Sequence, residues 1–228
     1  VIIAESDEMK KILQLIARVG KSDTPIMLQG ESGTGKELLA RAIHKAGRPE
    51  RPFVPINCSA LPETLLESEL FGYMKGAFTG AATNKKGLFE EAHGGTLFLD
   101  EIGDMTPVTQ VRFLRAIDLG EVRRLGSNTQ IYVDVRLVTA TNKDIQSLIA
   151  NGKFREELYY RLNVISIFIP PLRDRKEDII PIAKHFLKLY STRMNKNVSN
   201  ISPETLQFMK SYEWPGNVRE LENAMERA

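Results

Sequence analysis

Near the start of the chain, apolar residues fall at Met9, Ile12, Leu13, Ile16 and Ala17, the spacing of one helical face. Pro25 then precedes a short apolar run, Ile26 to Leu28, which reads as a buried strand. Similar β-type runs recur at Phe53 to Ile56, Thr96 to Leu99, Val135 to Ala140 and Val164 to Ile169. Helical stretches such as Glu37 to Lys45 and Val108 to Leu119 separate most of them. Strands alternating with helices predict an α/β fold, a parallel sheet covered by helices on both faces. After Pro170-Pro171 only helical patterns remain, at Ile179 to Tyr190, Pro203 to Ser211 and Asn217 to Ala228. The expected division is an α/β part at residues 1–171 and a smaller all-α part at residues 172–228. The segment Pro170 to Arg175 between them is short and stiff, so the two parts are expected to communicate mechanically.

Composition narrows the class without changing the fold. At 228 residues, with 42% hydrophobic and 26% charged side chains, the chain has ordinary globular usage and room for a core domain with a smaller companion. A net charge of +2 calls for no polyanionic partner, and Lys85-Lys86 and Arg123-Arg124 read as solvated surface. Cys58 is the only cysteine, which excludes an intrachain disulfide and makes the cytoplasm the expected compartment. The most apolar stretch, Val164 to Leu172, is too short to span a bilayer, so no membrane is expected. With Val1 first, no signal peptide, and a helical pattern still running at Ala228, the sequence is expected to be part of a longer protein.

The sharpest chemical signal is Gly30-Glu31-Ser32-Gly33-Thr34-Gly35-Lys36, which fits G-x-x-x-x-G-K between a strand and a helix. Its glycines let backbone N–H groups approach phosphate oxygens, and Lys36 supplies a cation for the β and γ phosphates of ATP. The helix that begins there adds its partial positive N-terminus. The next residue is Glu37 where a Ser or Thr hydroxyl commonly ligates Mg²⁺, so the metal must find other ligands. Gly94 to Glu101 offers them: an apolar strand that ends in two carboxylates. Asp100 is the expected Mg²⁺ ligand, directly or through water, and Glu101 the group that polarises the attacking water.

Thr141 and Asn142 end another strand, where a sensor of the γ phosphate would sit, although turn chemistry alone would also place them there. Arg155 and Arg161 flank Glu156 to Tyr160. On one continuous helix they would lie about 240° apart, so either they serve different contacts or the helix is interrupted. An arginine donated to a neighbouring subunit needs only an outward-facing one; surface pairing with Glu156 or Glu157 is the plain alternative. In Trp214 to Leu221, Asn217 reads as an N-cap with Glu220 three residues on, a capping box. Arg219 then falls in the first turn, where the helix dipole disfavours a cation unless an anion is near. Nucleotide phosphate is the proposed anion, and pairing with Glu220 or Glu222 the alternative. Finally, Gly76-Ala77-Phe78-Thr79-Gly80-Ala81 follows a helical stretch from Pro62 to Tyr73. An aromatic residue framed by small ones suits a tip that presents Phe78 to a partner, or a hairpin whose Phe folds back.

Taken in order, GESGTGKE, GAFTGA, GGTLFLDE, FREELYYRL and WPGNVREL resemble the sigma-54-dependent transcriptional activators of the AAA+ class of P-loop NTPases. The resemblance covers their central ATPase module, from near Val1 to Ala228, and GAFTGA is its most specific part. In that family a glutamate follows the P-loop lysine, so Glu37 is a match. The resemblance implies an α-helical lid at residues 172–228 and a role for Asn57 in restraining Glu101 until a partner binds. It also implies a ring of six or seven subunits in which Arg155 and Arg161 reach across the interface. Phe78 and Thr79 would touch sigma-54 in the RNA polymerase holoenzyme. Before the tip the family usually reads FGHEK, whereas this chain has Phe71-Gly72-Tyr73-Met74-Lys75. DNA binding is expected only through a C-terminal domain outside this sequence. Against this stand a nucleotide-binding module without turnover, disfavoured by Lys36, Asp100, Glu101 and the arginines, and an AAA+ enzyme of another lineage, disfavoured by the Phe78 loop.

Overall fold

The computed structural model describes residues 2–196 and 198–228. Helix α1 (Asp7–Val19) starts at Ser6, whose hydroxyl accepts from the Met9 N–H. Strand β1 (Ile26–Gln29) and helix α2 (Lys36–Gly47) follow, then β2 (Phe53–Asn57) and α3 (Glu63–Phe71). The helix expected up to Tyr73 stops at Phe71 because Gly72 takes a left-handed φ of 74°. Gly72–Tyr73 instead forms β3, antiparallel to β4 (Lys85–Lys86). Short α4 (Leu88–Glu91), β5 (Thr96–Asp100) and α5 (Pro107–Leu119) come next, the last capped by Thr106 with Pro107 in its first turn. A two-stranded hairpin, β6 (Glu121–Val122) with β7 (Ile131–Tyr132), precedes β8 (Arg136–Thr141). The chain continues through α6 (Ile145–Ala150), α7 (Glu156–Leu162) and β9 (Ile165–Phe168). Three helices end it: α8 (Lys176–Arg193), α9 (Pro203–Ser211) and α10 (Asn217–Arg227).

The central sheet is wholly parallel, in the order β2-β5-β8-β1-β9. Strand alternation splits its side chains between two cores. Met27, Leu97 and Leu99 join Leu70, Phe71, Phe89, Phe113 and Leu158 on the face covered by α3, α4, α5 and α7. Ile26, Leu28, Phe98, Val138 and Ala140 face Met9, Ile16, Leu39 and Ile43 of α1 and α2. Arg136 crosses into the second layer, fully buried, and donates to the carbonyls of Val19, Gly20 and Ile43, so its cation sits where helix dipoles favour one. The C-terminal helices have a core of their own, with Leu172, Ile179, Ile182, Trp214, Leu221 and Met225 buried together.

This strand order sets β8 between β1 and β5, with Gln29 level with Thr141 and Leu99 level with Thr139. The carboxyl ends of three strands therefore meet along one edge, the side on which open parallel sheets place their ligands.

Candidate functional site

Leaving β1, the chain rises through Gly30, whose N–H donates to the Thr141 carbonyl at 3.2 Å. Gly33 and Gly35 have φ of 77° and 100°, a region that side chains disfavour. At Gly33 a Cβ would come within 2.4 Å of the Gly216 carbonyl, whereas at Gly35 nothing lies within 4 Å, so the loop is open on one side and pressed against the lid on the other. Lys36, buried at the start of α2, donates to the carbonyls of Gly30 at 2.9 Å and Glu31 at 3.1 Å. Its Nζ lies 3.7 Å from Glu101 Oε1. The Thr34 hydroxyl donates to the Glu31 carbonyl. Glu37 lies at the cavity rim and its carboxylate pairs with Arg41 along the exposed face of α2.

Asp100 ends β5, and burial pushes its carboxyl above the usual range against the opposing pull of Lys36. A group in that state is stabilised by any cation brought to it. Glu101 turns the chain with a left-handed φ of 53°, a conformation that costs about 1–3 kcal/mol outside glycine and is found where function holds it. The turn sends its carboxylate across to β8, where Oε2 accepts from the Asn142 N–H at 3.1 Å. The expected Asn57–Glu101 contact is not made in this conformation. Asn57 Oδ1 instead accepts from the Ser59 N–H and hydroxyl in a tight turn. Thr141 is fully buried and its hydroxyl accepts from the Lys143 N–H, so Asn142 and Lys143, not Thr141, line the cavity. Lys143 pairs with Asp104, just beyond Glu101. Beneath this edge the Cys58 thiol is pushed up to about 12 by burial and then by Asp100, Asp104 and Glu101, which makes it an inert core thiol.

The lid supplies more of the site than the sequence discloses. Arg173 grips Glu31 with both terminal nitrogens, at 2.9 and 2.6 Å. Hydrogen bonds from Arg173 and then Asn217 hold the Glu31 carboxyl down at about 2. The Glu31 side chain thus faces the lid, and only its backbone remains with the phosphate loop. Asn217 is fully buried with a φ of 55°; it donates to Glu31 and to the Ser32 carbonyl and accepts from the Leu172 N–H. The expected cap therefore shifts by one residue. Gly216 is the N-cap of α10, and Glu220 accepts from its N–H at 2.8 Å, because Asn217 is occupied in tying the lid to the loop. Arg175, buried, donates to the Thr34 carbonyl and lies 3.7 Å from Asp178. Asp178 in turn accepts from the N–H groups of Glu5 and Ser6 and the Ser6 hydroxyl. The Val218 N–H donates to the Gly33 carbonyl. None of Arg173, Arg175 or Asp178 belongs to a short motif, but the stiff Pro170-to-Arg175 junction was the signal that the lid is held close.

These groups enclose a cavity of about 730 Å³. Lys36, Asp100, Glu101, Asn142 and Lys143 line it from the phosphate loop and the strand ends, Ile182, His185, Phe186, Val218 and Arg219 from the lid helices, and Ile2 and Ile3 from the N-terminal segment. Charged and apolar groups lining one cleft suit a nucleotide, with its phosphates and its base. Among the described residues Arg219 makes no ion pair; Glu220 is taken by Gly216 and Tyr212, and Glu222 by Tyr190. Arg155 and Arg161 stand outside the cavity. Arg155 is the N-cap of α7, so only Arg161 stands within the helix and the two arginines make different contacts: Arg155 lies 3.7 Å from Glu157, and Arg161 lies 2.8 Å from Asp118 on α5. No residue of the Gly76–Ala81 tip lines the cavity, and Phe78 is exposed.

A glycine-rich loop feeding α2, paired carboxylates on a strand two places away, and a helical lid over the cleft define a P-loop ATPase of the AAA+ class. The family described as Sigma-54 interaction domain matches residues 2–168, and the AAA+ ATPase lid domain matches residues 173–228. The chain belongs to the Sigma-54 interaction family, the AAA+ ATPase module of sigma-54-dependent activators.

The transcriptional regulatory protein ZraR of Klebsiella oxytoca is 54% identical over 228 residues, all of this chain and 52% of that protein. The regulatory protein AtoC of Escherichia coli is 50% identical over the same length, half of its own. The chain thus spans about half the length of the curated relatives it matches. NtrX of Brucella abortus, solved in complex with ADP and with ATP, superposes with a TM-score of 0.93 at 36% identity over all of this chain and 50% of its own. Hsp104 shares the fold, with a TM-score of 0.66 at 19% identity.

Proposed function

We propose that the chain binds ATP with Mg²⁺ in this cavity, hydrolyses it, and uses the cycle to move the Gly76–Ala81 tip against sigma-54 in the RNA polymerase holoenzyme. The observation that carries hydrolysis is the Glu101 carboxylate, 3.7 Å from Lys36 and held by the Asn142 N–H at the cavity edge. Lys36 and the N-terminus of α2 neutralise the phosphates. Glu101 accepts the proton of the attacking water, and Asn142 holds that carboxylate in place. One carboxylate with nucleotide phosphates and water is the usual set for Mg²⁺, and Asp100 fits it; the ion would supply charge neutralisation at the phosphates. Arg219, which makes no ion pair among the described residues, stands at the first turn of α10 and reports the phosphates to the lid.

Two segments support transmission to the tip. Helix α3 runs from the Asn57–Ser59 turn to β3, at the root of the tip. Helix α5 starts beyond Glu101, and its Thr106, Thr109 and Arg112 bond to Glu63 and Glu67 of α3. A shift at either cavity residue therefore reaches the segment that carries Phe78. Arg155 and Arg161, outside their own cavity, act on that of a neighbour in a ring of six or seven subunits. We place the functional division at residues 1–171 and 172–228, and the protein in the cytoplasm; among the described residues no helix is long and apolar enough to cross a membrane.

Glu101→Gln tests the assignment. ATP binding, read by fluorescent-nucleotide titration, should persist while turnover falls about 10²- to 10⁴-fold. Unchanged turnover would remove Glu101 from its role.

A further inference from the structure

Tyr73 and Met74 are the residues before the tip that the ATPase chemistry leaves unexplained. Tyr73 stands on a backbone held from both sides. On one side β3 pairs with β4, Tyr73 opposite Lys85. On the other Tyr73 bridges to Leu125, where the Leu125 N–H donates to the Gly72 carbonyl and the Met74 N–H to the Leu125 carbonyl, both at 2.9 Å. Arg124, beside that bridge, is fixed by two bonds of 2.7 Å to Glu90. From this platform the Tyr73 ring meets the Phe78 ring edge to face, with centroids 5.0 Å apart and planes at 66°.

The tip itself has little else to orient Phe78. Its backbone closes through the Gly76 N–H to the Ala81 carbonyl at 2.9 Å and the Ala81 N–H to the Phe78 carbonyl at 3.0 Å. Gly76 and Gly80 have left-handed φ of 83° and 102° with open space around them. Ala77 abuts Gly126, where a Cβ would come within 2.9 Å of the Ala77 Cβ, so the flank of the tip is fitted to the β6–β7 loop. Phe78 is 44% exposed, and Tyr73 is the one aromatic ring against it among the described residues. The Tyr73 hydroxyl makes no hydrogen bond among those residues, so the contact is made by the ring alone.

We infer that Tyr73 is the positioning residue that orients Phe78 for its partner, by restricting the Phe78 side chain before binding. A side chain already held in one orientation loses less freedom when it is captured. This rests on the reading of Phe78 as the sigma-54 contact, and the test separates the two. The affinity of the chain for sigma-54 is measured in the presence of ADP–aluminium fluoride, alongside ATP turnover, for the unaltered chain, Tyr73→Leu, Tyr73→Phe and Phe78→Ala. An edge-to-face aromatic pair predicts that Tyr73→Leu weakens capture by about 2- to 10-fold. Tyr73→Phe keeps the ring and should restore capture, which a hydroxyl-dependent role would not allow. The ring-current-shifted proton signals of Phe78 should survive in Tyr73→Phe and vanish in Tyr73→Leu, a readout that remains if the leucine variant also turns over ATP more slowly. Capture by Tyr73→Leu equal to or tighter than that of the unaltered chain, or Phe78 signals indifferent to residue 73, would overturn the inference. Phe78→Ala that still binds fully would overturn the tip assignment beneath it.

Discussion

At the residue scale, the site works by holding groups in states that folding alone disfavours. Asp100 is the clearest case: burial outweighs the attraction of Lys36, so its charged form is destabilised in the fold. A carboxyl raised in this way costs stability as pH climbs through the carboxylate range, because the unfolded chain gives up its proton first. Asp100→Asn should therefore melt at a higher temperature than the unaltered chain at neutral pH, and the gap should close in acid. Differential scanning fluorimetry across pH reads both, and a lower melting temperature at neutral pH would contradict the account. Glu101 follows the same logic in backbone form, with a left-handed φ that buys its reach across to Asn142. The sequence named both acids because two carboxylates after an apolar strand downstream of a phosphate loop leave few alternatives. It could not show that Thr141 turns away from the cavity and Asn142 toward it. Strand periodicity assigns faces within a sheet, but the turn after the last strand residue follows its own hydrogen bonds, here the one from Lys143.

At the element scale, the lid is coupled to the phosphate loop partly through side chains outside any motif, Arg173, Arg175 and Asp178. Arg173 and Asn217 hold Glu31, Arg175 holds the Thr34 carbonyl, and Asp178 gathers Glu5 and Ser6 into the same cluster. The Glu31 carboxyl lies well below its ordinary 4.5, at about 2. Its contribution is complete above the ordinary value and is lost as pH falls through that value toward 2. Glu31→Gln should lower the melting temperature at neutral pH, with the difference narrowing as pH drops below the ordinary carboxylate value. A constant difference across that window would mean that the clamp does not depend on the Glu31 charge. Element positions were largely readable: all five sheet strands lie within a residue or so of their apolar runs. Ends were less so. Helix α8 begins three residues before its apolar pattern and runs through Pro181, because Lys176, Glu177 and Asp178 make its first turn without an apolar mark. Helix α7 begins after Arg155, which its charged neighbours disguise.

For the whole molecule, no residue of the Gly76–Ala81 tip lines the cavity, so the function proposed depends on transmission and on neighbours. Arg161 reaches no part of its own cavity, and Asp118 is its near partner in the single chain. If it serves the next subunit, Arg161→Ala mixed with Lys36→Ala should recover part of the ATP turnover that each lacks alone, since one supplies an intact phosphate loop and the other an intact arginine. Turnover in the mixture no greater than the sum of the two would assign Arg161 to its own subunit. Ring contacts of this kind would be legible only through resemblance, because a single chain carries half of each interface. If the nucleotide state governs the grip of the Gly76–Ala81 tip on sigma-54, capture of sigma-54 by this chain, measured with and without ADP–aluminium fluoride, shows it. Capture should be stable with the analogue, slight without it, and lost in Thr79→Ala. Capture of equal strength in both nucleotide conditions, undiminished by Thr79→Ala, would contradict it.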